Sequence, residues 1–175
     1  ALPRSDTIGG FHPIAQRPPT AVPHTLHLVE NLAYSGAATQ LRLLATLAQQ
    51  KGDQVTVVTL KRPQDEAANL SAAGVEVFWL GQRFAFDPIA AVRLKRIVSR
   101  RQPEVVQTWD YASAKLLRFS RRGRRSWRWL HAMRDQRSEA SGRELWLGRW
   151  LRAADGVFAP TAEVTRRARR LGVDP

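Results

Sequence analysis

Three stretches of this chain place side chains suited to chemistry on a polar ligand at the ends of apolar runs. Trp109-Asp110-Tyr111 follows Val105-Val106-Gln107-Thr108 and sets a carboxylate between two aromatic rings. The carboxylate could act as a general base, and either ring could stack on the face of a sugar. Arg134 closes the run that begins at Trp127, and its planar fork could clamp a phosphate or carboxylate through two hydrogen bonds. Ser35-Gly36-Ala37 is a small-residue turn between the apolar run ending at Val29 and a helical pattern. It brings unpaired N–H groups and the positive end of a helix dipole to the same edge. Gly36 is placed just before that helix, where the missing side chain admits a ligand and permits positive φ. Each residue also has a plain structural reading: Asp110 as a helix cap or ion-pair partner, Arg134 paired with Asp135 or Glu139, and Trp109 as core.

These residues can meet only if the elements between them alternate. His24 to Val29 reads as a strand, and Leu41, Leu44, Ala45 and Ala48 recur at helical spacing until Gly52. The β-branched run Val55 to Leu60 returns at once, apolar enough for a strand buried on both faces, so the pair is parallel. A short helix over Asp65 to Ala73 leads to a strand at Val75 to Leu80, and Asp87-Pro88 supplies a cap and first-turn proline for an amphipathic helix ending before Pro103. The fourth strand is Val105 to Thr108, followed by a helix to Ser120, a strand from Trp127 to Met133 and a bulky helix over Glu144 to Ala153 that must bury an aromatic stripe. A strand at Gly156 to Ala159 and a helix over Thr161 to Leu171 complete the chain. Six strands alternating with helices predict a doubly wound, mostly parallel α/β fold with helices on both faces. In that fold the loops 31–36, 109–111 and 134–138 converge at the carboxyl edge. Residues 1–23, with five prolines and no apolar period, read as a tail, and 24–175 as one Rossmann-like domain.

Composition narrows the function. No cysteine is present, the four histidines lack H-x-x-x-H spacing, and no apolar run approaches the roughly 20 residues that cross a bilayer. Disulfides, thiolate metal sites and a spanning helix are therefore not expected, and a cytoplasmic setting is. No G-x-G-x-x-G, no G-x-x-x-x-G-K-[ST] and no nucleophile elbow occurs. Charge is lopsided: residues 1–90 hold seven Lys/Arg and seven Asp/Glu, and residues 91–175 hold twenty-one and eight. Such a basic half suits a polyanion or an anionic membrane surface, although 24 of the 28 basic residues are Arg, as a GC-rich gene alone could produce.

The succession Ser35-Gly-Ala-Ala-Thr-Gln-Leu41, Lys51-Gly-Asp-Gln-Val-Thr-Val-Val-Thr-Leu60, Ala73-Gly-Val-Glu-Val77, Arg101-Gln-Pro-Glu-Val-Val-Gln-Thr-Trp-Asp-Tyr111 and Val157-Phe-Ala-Pro-Thr-Ala162 resembles the N-terminal domain of a family 4, group 1 retaining glycosyltransferase. The similarity runs in order over nearly the whole of 24–175. It implies a GT-B enzyme of two Rossmann-like domains, in which the first binds the acceptor and the second binds the nucleotide-sugar donor as a substrate, with no separate cofactor. Ser35, Gly36, Ala37, Trp109, Asp110, Tyr111 and Arg134 would then face the acceptor. The family's E-x7-E donor motif does not occur in these residues, so the donor-binding domain is expected outside them. The chain departs from the usual pattern at Ala38 and Thr39, where the family carries Glu-Arg, and at Ala112, where a histidine is common.

The expectation is an acceptor-side domain acting on a glycan or lipid-linked acceptor in cell-envelope glycan biosynthesis, cytoplasmic, with a peripheral place at the inner membrane face open to it. Two rivals stand beside it. One is a degenerate, non-catalytic Rossmann-like domain, favoured by Ala38, Thr39 and Ala112. The other is a basic nucleic-acid-binding module built on the six arginines between Arg118 and Arg128, which is the weaker because the tryptophans fit helix and strand interiors better than a base-stacking surface.

Overall fold

The structure, a computed structural model, describes residues 22–33, 35–120, 126–133 and 146–175, with the backbone alone over 141–145. Most of the expected tail, Tyr34, the arginines between 121 and 125, and Arg134 with its loop lie outside the described residues. Strands β1 (His24–Val29), β2 (Gln54–Thr59), β3 (Glu76–Trp79), β4 (Val105–Thr108), β5 (Arg128–Ala132) and β6 (Gly156–Phe158) alternate with helices α1 (Gly36–Gln50), α2 (Glu66–Ala72), α3 (Pro88–Arg101), α4 (Tyr111–Ser120), α5 (Ser141–Leu151) and α6 (Ala162–Arg170). All strand pairs are parallel, in the order β3-β2-β1-β4-β5-β6. The doubly wound α/β fold expected from the alternation is therefore the one observed.

Local signals account for the element ends. Ser35 Oγ accepts from the Ala38 N–H, Asp87 Oδ1 accepts from the N–H groups of Ile89 and Ala90, and Thr161 Oγ1 accepts from Val164. Backbone N–H groups on Asp87, chiefly that of Arg83, hold its carboxyl below the usual range. Gly52 and Gly74 adopt positive φ where α1 and α2 turn back toward the sheet. Alternate strand residues divide the core in two. Leu26, Leu28, Val58, Val106 and Trp129 pack with α3, α4, α5 and α6, while Val29, Val55 and Val57 pack with α1 and α2. Among the described residues no helix is long and apolar enough to cross a membrane.

Two side-chain expectations are corrected. Leu44 is 44% exposed rather than on the buried face of α1, because α1 leans on β2 and α2 through Leu41 and Ala45 and its other flank stays open. The aromatic stripe of α5 is split: Trp150 is buried, whereas Trp146 is 52% exposed.

The strand order reverses at the β1/β4 pair, and a polar network is buried there. Trp109 Nε1 donates to His27 Nδ1 at 3.2 Å, and since an indole N–H can only donate, that nitrogen must be unprotonated. The neighbouring pair, with Trp129 Nε1 donating to Thr108 Oγ1 at 2.9 Å and Thr108 Oγ1 within 2.8 Å of His131 Nδ1, fills the other face of β4. Burial lowers the His27 pKa to about 4, against a hydrogen bond with Gln107, the residue beside it in register. The unfolded chain takes up this proton near its ordinary value and the folded chain only well below it, so stability is complete at neutral pH and falls as pH drops toward 4. Between about pH 7 and pH 5 urea unfolding should show a loss of about 2 kcal/mol from this group, and the loss should be absent in His27→Gln. Equal pH dependence in the two proteins would remove His27 as its source.

Candidate functional site

Because β1 leads to α1 on one face and β4 leads to α4 on the other, their carboxyl ends diverge and leave a crevice, the usual ligand position in an open α/β sheet. Asp110 closes the gap between the two loops. Its Oδ2 accepts from the Glu30 N–H at 2.7 Å, and its Oδ1 accepts from the Ser113 N–H at 2.8 Å as the cap of α4. Ser113, fully buried, donates its hydroxyl to the Asp110 carbonyl and accepts from the N–H groups of Trp109 and Asp110. Burial pushes the Asp110 carboxyl above the usual carboxylate range, against the N–H bonds from Ser113 and Glu30, although the residue as a whole is only half-buried.

The first loop is fixed from below as well. Asn31 Oδ1 accepts from the Ala33 N–H, and the buried Glu66 carboxylate lies 2.8 Å from the Arg42 guanidinium while its N–H points to the Leu32 carbonyl. Beyond the strand ends the ladder continues, with the Lys61 N–H donating to the Glu30 carbonyl and the Gln82 N–H to the Leu60 carbonyl. The loop after β3 is thereby drawn to the same edge. It is held there by the Arg83 N–H on Asp87 Oδ2 and by Arg93 Nη1 on the Leu80 carbonyl.

Together these loops enclose a groove of about 530 Å³ lined by Glu30, Lys61, Arg83, Phe84, Asp110, Tyr111, Ala112 and Lys115. Its size suits a sugar-sized polar molecule. Glu30 and Lys61 form an ion pair, and the Lys115 ammonium rests over the Phe86 ring, 3.7 Å from its centroid. The Tyr111 ring packs against Trp150 at 5.0 Å. Carboxylate oxygens with remaining lone pairs can accept sugar hydroxyls, and the cations can meet an anionic group on the same ligand.

Of the residues singled out from the sequence, Asp110 and Tyr111 line this groove. Trp109 is buried beneath it, with its indole spent on His27. Ser35 and Gly36 are exposed and Ala37 is half-buried at the start of α1, outside the groove lining. Gly36 is the first helical residue rather than the one before the helix, it has no positive φ, and a Cβ there would meet nothing within 4 Å. Neither backbone nor packing requires glycine there. Arg134 lies outside the described residues. Glu30, Lys61, Arg83 and Lys115 were not singled out, and only the Asp110-x-x-Ser113 spacing, a capping signal, pointed toward part of the arrangement.

The tie across the crevice should be measurable. Asp110→Ala leaves the Glu30 and Ser113 N–H groups without their acceptor and should cost about 1–3 kcal/mol in urea unfolding, with Asp110→Asn intermediate. A loss under about 0.5 kcal/mol, ordinary for a surface change, would show that the carboxylate does not bind the loops together.

Comparison with known proteins places this geometry. The fold is similar to that of a glycosyltransferase from Rickettsia africae ESF-5, with a TM-score of 0.63 and 11% identity over 87% of this chain and 41% of that one. The likeness is one of fold, and the chain spans 41% of that protein's length. No curated protein matches the sequence. Residues 34–175, most of the chain and all of the crevice except Glu30 and its immediate neighbours, match Glycosyltransferase Family 4, and the chain belongs to that family.

Proposed function

We propose that this domain is the acceptor side of a glycosyltransferase that moves a sugar from a nucleotide-sugar to a glycan or lipid-linked acceptor. A separate GT-B domain would hold the donor, and transfer would proceed with retention. The observation that supports this reading most is the groove at the β1/β4 crevice, whose lining brings Glu30 and Asp110 together with Lys61, Arg83 and Lys115. In this reading the carboxylates orient the hydroxyls of an acceptor, and the cations take a phosphate carried on it. Tyr111 supplies an apolar wall, and Asp110 positions rather than reacts, because each of its oxygens already accepts a backbone N–H. The α1 N-terminus fits an auxiliary contact better than a pyrophosphate cradle, since Ser35 already occupies one of its open N–H groups. A role in cell-envelope glycan synthesis at the cytoplasmic membrane face is part of the same proposal.

A second reading, binding without transfer, is favoured by Ala112. It lines the groove with a methyl group at the position where the family resemblance implies a histidine.

In a transfer assay on the protein that contains this domain, Lys115→Ala and Glu30→Gln should each raise the acceptor KM about tenfold, the worth of one charge-assisted hydrogen bond, and leave the donor KM within about twofold. A rise in donor KM instead would put the nucleotide-sugar in this groove. Acceptor binding with no turnover in the unsubstituted protein would favour the second reading. Gly36→Val should keep the fold within about 1 kcal/mol, so any loss of transfer in that variant reports ligand approach to α1.

A further inference from the structure

The outer surface of the layer formed by α3, α4 and α5 is not finished as a water-facing surface. Phe84, Phe86, Ile89, Phe119 and Trp146 are 69%, 64%, 62%, 51% and 52% exposed. They leave on the order of 600 Å² of apolar surface open, at the top of the range for a single patch on a monomer. Phe86 meets Phe119 edge-on at 5.0 Å, Phe119 meets the buried Trp150 at 6.1 Å, and Trp150 meets Trp146 at 6.3 Å, so the rings form one connected ridge from the loop before α3 across α4 to α5. Cations frame it. Lys115 lies over Phe86 and Arg149 over Trp146, and α3 and α4 together contain seven Lys/Arg and no Asp or Glu.

We infer that this ridge is a docking surface for an anionic lipid bilayer, with the five exposed side chains entering the headgroup region and the lysines and arginines meeting lipid phosphates. Phe, Trp and Ile framed by basic residues are the composition that settles at a membrane interface. Charge decides against a second copy of the chain, because a twofold contact would press two wholly basic helix pairs together. Ring geometry decides against single-stranded nucleic acid, which needs free ring faces for stacking. Here Phe119 is held edge to face, Phe86 and Trp146 are capped by cations, and Ile89 adds area that cannot stack. Phe84 and Lys115 belong to both the ridge and the groove, so a bilayer on this face would lie at the groove's mouth and could present a lipid-linked acceptor to it. That last step rests on the acceptor reading above, whereas the docking itself does not.

Co-sedimentation of the 175-residue chain with vesicles, with no acceptor present, tests the docking alone. The chain should bind vesicles of phosphatidylcholine mixed with phosphatidylglycerol more tightly than phosphatidylcholine alone, and added salt should weaken the binding. Phe86→Ser combined with Trp146→Ser should reduce partitioning about tenfold at an unchanged melting temperature, since both side chains are exposed. Brominated acyl chains should quench fluorescence in the wild type and less so in Trp146→Phe. No binding to anionic vesicles, undiminished binding by the double variant, or a dimer in sedimentation velocity that the same substitutions abolish would each overturn the inference. So would tighter binding to single-stranded RNA than to anionic vesicles at equal salt, lost in the same variant. A failure of the acceptor reading would leave all of these vesicle results as they are.

Discussion

Two strands that lie side by side and then send their chains to opposite faces of a sheet must part at their carboxyl ends. The crevice between β1 and β4 depends on how that parting is held. The Asp110 carboxylate spans it, taking one N–H from the loop after β1 and one from the first turn of α4. A carboxylate bonded on both sides in this way ties the backbone of Glu30 to the first turn of α4, next to Tyr111. Preorganisation of that sort is what lets a polar groove select a ligand rather than adapt to one.

Polarity is distributed in accordance with that task. Beneath the crevice the polar groups are paired: His27 with Trp109 on one face of the sheet, and Thr108 with Trp129 and His131 on the other. Paired neutral groups can be buried at low cost, whereas charges there would carry a heavy desolvation penalty. At the rim the groups are ionic, and on the outside of α3 and α4 they are all positive. The sequence-wide excess of arginine thus resolves into a local arrangement, in which cations surround a groove mouth and an aromatic ridge.

Much of this is legible in the sequence. The β-branched runs, the glycine stops and the Asp87-Pro88 cap place the strands and helices within a residue or two, because local propensity and tertiary burial agree there, except that α5 begins at Ser141, three residues before the expected Glu144. Asp110 and Tyr111 follow directly, since they stand at a strand end whose position the alternation determines. The cations of the groove do not follow. Lys61, Arg83 and Lys115 sit in three separate loops or helices with no spacing between them to notice, and strand order alone brings them together. Trp109 shows the opposite failure: an aromatic beside a candidate carboxylate looks available, yet the pleat sends it to the opposite side, into the core with His27. Trp146 and Leu44 fit buried helical stripes on periodicity, and each is exposed because its helix carries a wider apolar face than its neighbours cover. Family membership and fold are thus legible from pattern, while the chemistry of the groove depends on contacts between distant segments.

The central claim is that the crevice between β1 and β4 receives an acceptor rather than the nucleotide-sugar. Amide chemical-shift mapping on the isotope-labelled chain addresses it directly, with a phosphorylated monosaccharide as the acceptor surrogate and a nucleotide-sugar as the competitor. The account predicts that the phosphosugar moves the amides of Glu30, Lys61, Arg83, Tyr111 and Lys115 and that the nucleotide-sugar at equal concentration moves them less. Shifts confined to the opposite end of the sheet, around His24, Arg100 and Arg101, or larger groove shifts with the nucleotide-sugar, would contradict it.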